Sequence, residues 1–357
     1  MHNPYITTGV RFDPISGNCS ISSLARSKSQ ESLIIKTPKS WTDIQLSGEN
    51  CPFETGREEL DLEELLSFRK EDTIAGQPGW WLRVIPNRFP AFENIIEMPY
   101  KNENIGPFQM QPPYGQHYLV IESTGHTDRL STITPHQMRE ILYTWLILPQ
   151  QIIEHENQKN KVKYVAIYEN CGPLAGASQP HPHSNVIGLP FVPQQIKAEL
   201  YRASKYYKKH RKNCFFCEEV KMETDSKDRI IMESPNLMAW CPFVSIKPYE
   251  ILVGPKYHEA SFSRIATYSQ NNMPDILTEL AYILQEVLRK VDTCLNKPDY
   301  VLYIHTVPFD QYDSDSYHWH IEIKPVTNAI QAGCETGFNT FFNPRAPELA
   351  AQDLRNI

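Results

Sequence analysis

The chain of 357 residues is 41% hydrophobic and 22% charged, a globular balance that can bury a sizeable core in one large or two medium domains. With 42 acidic against 35 basic residues its net charge is −7, which excludes general nucleic-acid binding through basic patches but leaves room for a nucleotide held by a few local donors. No apolar run reaches the ~18 residues of a membrane span. Met1-His-Asn-Pro-Tyr5 shows no basic region followed by an apolar core, so a soluble cytoplasmic protein without a membrane partner is expected. Its eight cysteines are then reduced, and close pairs among them lean towards metal.

Arg11-Phe-Asp-Pro-Ile-Ser-Gly17 reads as a strand running into a turn, and the polar stretch Ser27–Lys39 as loop or linker. Cys51-Pro-Phe-Glu54 has the shape of a Cys-x-x-Cys knuckle with glutamate in place of the second cysteine. Trp80–Ile85 is a strand, Pro86-Asn-Arg-Phe-Pro90 a turn, and the Pro/Gly-rich Lys101–Gln116 a loop. His117–Ile121 is a strand that ends near His126. Thr134-Pro135 marks a helix start, and Met138, Ile141, Leu142, Trp145, Leu148 and Ile152 recur at helical spacing behind it. Val162–Ile167 is the next strand, followed by a loop over Glu169–Gln179.

Then comes Gly176-Ala-Ser-Gln-Pro-His181-Pro-His183-Ser-Asn185-Val-Ile-Gly188. On a strand, alternate residues share a face, so His181 and His183 stand side by side, roughly 7 Å apart at Cα. One of them can be anchored while its neighbour does chemistry. The glycine and serine upstream let backbone and hydroxyl approach a phosphate.

A basic helix covers about 195–212, its lysines read as a solvated face. The pattern then restarts. Cys214-Phe-Phe-Cys217 is a true knuckle. Leu237–Phe243 and Glu250–Val253 are strands with His258 beyond, and Ile276–Val291 is an amphipathic helix. Tyr300–Ile304 and His318-Trp-His320-Ile-Glu-Ile-Lys-Pro325 are strands. From His126 to His181 is 55 residues and from His258 to His318 is 60. Such recurrence argues for a duplicated α+β unit, here divided into residues 1–195 and 196–357. Each half offers four ligands for a tetrahedral site: Cys51, Glu54, His126 and His181, then Cys214, Cys217, His258 and His318. His305 competes for the second set; His318 is preferred as the repeat-mate of His181. His320, the mate of His183, is expected to be structural.

In this order the segments Arg11-Phe-Asp-Pro14 with Arg26, Cys51-Pro-Phe53, Asn87-Arg-Phe-Pro-Ala91, Glu169-Asn170, Gly176-Ala-Ser178, His181-Pro-His183, His318-Trp-His320 and Gly333-Cys-Glu335-Thr-Gly337 through Asn343-Pro344 resemble the galactose-1-phosphate uridylyltransferases, a two-repeat branch of the histidine-triad superfamily. The resemblance implies an α+β fold of two tandem histidine-triad-like repeats, each an antiparallel sheet with a long packed helix. It implies ping-pong nucleotidyl transfer with His183 as nucleophile, and Asn87, Asn170, Gly176, Ser178, Asn185 and Glu335 on the substrate. It implies zinc as the metal, a nucleoside diphosphate sugar with a sugar 1-phosphate or inorganic phosphate as partners, and a homodimer as the assembly to consider. The leading reading is UDP-glucose–hexose-1-phosphate uridylyltransferase. The alternatives are a phosphorylase similar to the ADP-glucose phosphorylases, and a zinc-stabilised nucleotide-binding protein without turnover. Three positions depart from the family pattern. Glu54 replaces a cysteine, which weakens or abolishes the first metal site; Asn185 replaces glutamine; and Gly337-Phe-Asn339 replaces a run of small residues.

Overall fold

The computed structural model describes residues 9–12, 19–22, 41–60, 63–92, 102–154, 161–265, 275–311, 314–327 and 332–357. Arg26, the turn after Phe12 and the stretch Ser27–Lys39 lie outside the described residues. Ten strands form one antiparallel sheet: β3 (Leu66–Arg69), β4 (Trp80–Pro86), β7 (Gln116–Ile121), β8 (Tyr164–Cys171), β9 (His183–Leu189), β10 (Ile230–Glu233), β11 (Leu237–Trp240), β12 (Ile251–Pro255), β13 (Tyr300–His305) and β14 (His320–Pro325). Their order is β10-β11-β12-β14-β13-β8-β9-β7-β4-β3, the same five-strand motif read inward from either edge. The halves meet where β8 pairs with β13, Asn170 opposite Val301. Both β9 and β14 begin on the second histidine of their His-x-His, so His320 is the counterpart of His183 and Glu322 of Asn185.

The strand patterns explain the layers. Residues paired across antiparallel strands share a face, and successive residues alternate. Ser184, paired with Val120 and Glu169, therefore faces one way with Val186, while His183 and Asn185 face the other. The first face packs on two long helices, α2 (Pro135–Glu154) and α5 (Ile276–Cys294), whose Trp145, Leu148, Leu284 and Val287 share one core with Val84, Val120, Leu302 and Ile323. The Thr134 hydroxyl accepts the Gln137 amide at 3.2 Å and caps α2, as its sequence predicts. Beyond it, the Trp145 indole donates to Ser184 at 2.8 Å and fixes the underside of β9.

The other face carries the site. Over the first half lies a small sheet, β2-β1-β6-β5, built from β1 (Gly9–Phe12), β2 (Cys19–Ser22), β5 (Glu103–Ile105) and β6 (Phe108–Gln111). Val10 beneath it joins Phe92, Ile187 and Phe191 in a second core. The expected loop over Lys101–Gln116 is thus a hairpin. Its residues are largely exposed and show no alternation, and its partner strand lies about a hundred residues upstream in the chain. Over the second half lie the basic helix α3 (Gln194–Lys209) and α4 (Phe215–Ser226), the latter running through the knuckle that the sequence showed only as a knuckle. A short helix α1 (Asp43–Ser47) precedes the first knuckle, and the tail ends in α6 (Gly333–Phe338) and α7 (Pro347–Arg355).

Candidate active site

His183 is buried at the start of β9, with His181 just before the strand. The His183 Nδ1–H donates to the His181 carbonyl at 2.8 Å, which leaves Nε2 with its lone pair. Burial pushes the His183 ring below the usual histidine range, so it is neutral near pH 7. A neutral imidazole with one nitrogen fixed and the other bare is an oriented nucleophile.

Around it opens a cavity of about 620 Å³ lined by His183, Asn87, Asn170, Gly176, Ser178 and Asn185. Phe53, Phe89 and Tyr168 add aromatic walls. Asn170 stands on β8, not in a loop, because the strand continues through Cys171. Gly176 has φ +94°, a left-handed conformation that favours glycine, and its loop passes close to the Asn170 side chain. Glu335 does not line this cavity. Its carboxylate accepts the Ala332 and Phe342 amides at 3.0 and 3.4 Å inside the tail. The sequence reading passed over Phe53, Tyr168 and His117. The alternation of β7, β8 and β9 places Tyr168 and His117 on the site face; only the fold shows what they touch.

Two groups of four side chains come together as the repeat spacing anticipates: Cys51, Glu54, His126 and His181, and Cys214, Cys217, His258 and His318, the potential ligand atoms of each group lying within 4.8 Å of one another. In the first, His181 Nε2–H donates to the Ser123 carbonyl at 2.7 Å and His126 Nε2–H to the Gln45 carbonyl at 2.6 Å. Both Nδ1 atoms then turn to Glu54 Oε1, at 3.2 and 2.6 Å, with Cys51 Sγ 3.8 Å from His181 Nδ1. Ring nitrogens, carboxylate and sulfur converging on one point, with the outer ring N–H groups held by carbonyls, make the donor set of a cation site. Burial pushes the Cys51 thiol up to about 11; a metal ion would deprotonate it on binding.

In the second group His258 Nε2–H donates to the Ser314 carbonyl at 3.1 Å, and Nδ1 faces His318 Nε2 at 2.9 Å. Cys217 Sγ lies 3.5 Å from His258 Nδ1 and 3.2 Å from His318 Nε2. A hydrogen bond from Cys217, with others from His258 and His318, draws Cys214 far below the usual thiol range. Thiolate, thiol and two imidazoles suit a soft divalent ion.

His305 joins a third group with Glu199 and His320. Its Nδ1 lies 3.2 Å from Glu199 and 3.1 Å from Glu322, and His320 Nε2 lies 3.4 Å from Glu322. Burial opposes ionisation of Glu199, yet the bond to His305 and the nearby histidine charges hold it down at about 2. The same opposition leaves His320 raised, because its bond to Glu322 outweighs burial.

A palindromic ten-stranded sheet with an oriented histidine in one half and convergent metal-type ligands in both is the architecture of a two-repeat nucleotidyl-transfer enzyme. The family model described as galactose-1-phosphate uridyl transferase matches in both parts, its N-terminal domain over residues 82–193 and its C-terminal domain over 199–356. The chain is 31% identical to an ADP-glucose phosphorylase of Arabidopsis thaliana, over 98% of this chain and 92% of that one. It is 28% identical to a galactose-1-phosphate uridylyltransferase of Thermotoga maritima, over 91% and 95%. Among solved structures, an Arabidopsis thaliana ADP-glucose phosphorylase with bound ADP-glucose aligns with TM-score 0.70 at 29% identity over 98% of each chain. The chain belongs to the galactose-1-phosphate uridyl transferase family. Among the described residues no helix is long and apolar enough to cross a membrane.

Proposed function

We propose that the protein moves a nucleotidyl group from a nucleoside diphosphate sugar to a phosphate acceptor through a covalent nucleotidyl-His183. One observation carries this reading: Nδ1–H is committed to the His181 carbonyl, and Nε2 keeps its lone pair at a cavity of nucleotide size. Nε2 attacks the α-phosphorus, the phosphorus–oxygen bond to the β-phosphate breaks, and sugar 1-phosphate leaves with the electron pair. An acceptor phosphate oxygen then attacks the same phosphorus and the P–N bond returns its pair to Nε2. No proton need move, because phosphate is both leaving group and nucleophile. The His181 carbonyl faces the ring as it becomes positive. Asn170 and Ser178 supply donors to the α-phosphate oxygens.

Zinc is the ion we assign to both four-ligand groups, and it stabilises the fold when bound. In the first group His181 is a ligand and its carbonyl orients His183, so the cluster sets the nucleophile's angle without touching the substrate.

The leading acceptor is a hexose 1-phosphate with a uridylyl group in transit. Likeness over 98% of the chain to the Arabidopsis enzyme favours a second reading, phosphorolysis of ADP-glucose. Incubation with UDP-glucose and ADP-glucose labelled at the α-phosphorus decides the base: one of them leaves acid-labile label on the protein. Discharge by hexose 1-phosphate or by inorganic phosphate then decides the acceptor. Hydrolysis to the nucleoside monophosphate, with no label trapped on the protein, overturns the covalent reading.

A further inference from the structure

His117 belongs to none of the clusters above, yet it joins two asparagines of the cavity. It is buried on β7, opposite Ile187 of β9. Its Nδ1 lies 3.3 Å from the backbone nitrogen of Ala91. Its Nε2 lies 2.9 Å from Asn185 Oδ1 and 3.1 Å from Asn87 Nδ2. Asn87 cannot turn over freely, because its Oδ1 accepts the Phe89 amide at 2.8 Å.

A neutral imidazole has one proton for two nitrogens. The Ala91 backbone N–H can only donate, so Nδ1 is the bare nitrogen and the proton sits on Nε2. That proton faces the Asn185 Oδ1 acceptor at 2.9 Å. Engaging it directs the Asn185 amide nitrogen away from the ring, and among the described residues it makes no hydrogen bond. The Asn87 nitrogen finds no lone pair on the ring either, so its N–H groups also remain for a ligand. Both asparagines line the cavity beside His183. We infer that His117 is a positioning residue whose Nε2–H tautomer aims the amide donors of Asn185 and Asn87 at phosphate oxygens over His183. The opposite tautomer would turn Asn185 Oδ1 outward, an acceptor against an anion. The shorter Asn185, where the family pattern has glutamine, is the side chain that this contact fits. The inference rests on the nucleotidyl-transfer reading for the identity of the anion, and on the ring geometry alone for the tautomer.

Three substitutions separate the ring's two jobs. His117→Gln restores a donor near Nε2, His117→Asn restores an acceptor near Nδ1, and His117→Phe restores neither. With the labelled donor, His117→Phe is expected to lower kcat/KM by about 10- to 100-fold, the scale of one lost hydrogen bond to a charged group. The Gln variant should recover most of that loss, while the Asn variant recovers melting temperature but not kcat/KM. In an Asn185→Ala background His117→Phe should cost markedly less than in wild type, the remainder being the part carried by Asn87. Equal rescue by Asn and Gln, or a full additional loss in that background, overturns the inference. A second measurement needs no activity. In ¹⁵N-histidine-labelled wild type, the His117 signals, identified by their loss in His117→Gln, should show Nε2 protonated and Nδ1 bare. The reverse pattern overturns the inference even if turnover is normal. A wild type that no nucleotide sugar labels would refute the proposed function instead, and the tautomer measurement would still decide the ring's role.

Discussion

The two halves of the sheet share a backbone plan and a histidine at the same place, yet the surroundings of the two rings differ. Phe53 packs 6.0 and 5.5 Å from the rings of His181 and His183, and Phe216 packs 5.9 and 5.6 Å from His318 and His320. Both second histidines direct Nδ1 to the carbonyl two residues back, at 2.8 and 3.3 Å. The difference lies on the other nitrogen. His183 Nε2 meets a cavity of about 620 Å³ with asparagine amides around it. His320 Nε2 meets Glu322, the counterpart of Asn185, and the cavity beside it is only about 10 Å³. Lys324 completes that filling, pairing with Glu322 at 2.8 Å and Glu250 at 3.0 Å. Against burial, a carboxylate in place of the amide favours a proton on Nε2 and, together with nearby Glu199, raises the ring's pKa. A repeated scaffold therefore carries one histidine open to a cavity and one closed in by charged side chains, and the covering residues make the difference.

Removing each histidine breaks the comparison most sharply. His183→Ala is expected to abolish turnover and covalent labelling while leaving the melting temperature near wild type. His320→Ala should retain labelling but lose about 3 kcal/mol of stability, since it strands buried carboxylates. Denaturant titration and labelling of the two variants check both halves of the statement, and labelling of His183→Ala would refute the assignment.

The metal groups sharpen it next. Cys217 stands where the first repeat has Glu54, and thiolate binds zinc more strongly than carboxylate does in such a set. Metal analysis of the purified protein should find the second site filled and the first withdrawn earlier by chelator. Cys214→Ser should remove about one equivalent and lower the melting temperature, whereas Glu54→Cys should make the first site resist chelator as the second does.

The smallest difference is one of pH, and it lies beneath the first repeat only. Glu122 and Glu169 are buried under β9, where the second repeat has the apolar Ile304 at the Glu169 position. Burial, aided by the neighbouring Glu169, pushes Glu122 well up; burial likewise lifts Glu169 to about 8, against the pull of Arg129. A carboxyl whose folded pKa is raised binds its proton more tightly in the native state. Stability is then full below the unfolded value and falls as pH rises towards 8, by up to about 1.4 kcal/mol per pH unit for one group. Glu169→Gln should flatten that slope, read from melting temperatures between pH 5 and 8. An unchanged slope would place the ionised carboxylate, not the acid, in the native core.

Much of this was written locally. The apolar density of Val186, Ile187 and Leu189 and helical spacing after Thr134 and Asp275 are properties of neighbours in the chain, so strands, helices and the duplication were legible from the sequence. The repeat spacing also marked the two groups of four metal-type side chains that the fold brings together. Tertiary structure alone decided what those residues meet. The exposed Glu103–Gln111 hairpin pairs with a strand near the N-terminus, and nothing in its own composition names that partner. Glu335 is spent on amides of the tail, and the fold alone shows the carboxylate's partners. His305 meets Glu199 from α3 and Glu322 from β14, and His117 meets Asn87 from the end of β4 and Asn185 from β9. Periodicity encodes which face a side chain takes, because that depends on its own backbone. Which atom it touches depends on the register of distant strands, and that is set only when the whole sheet closes on its core.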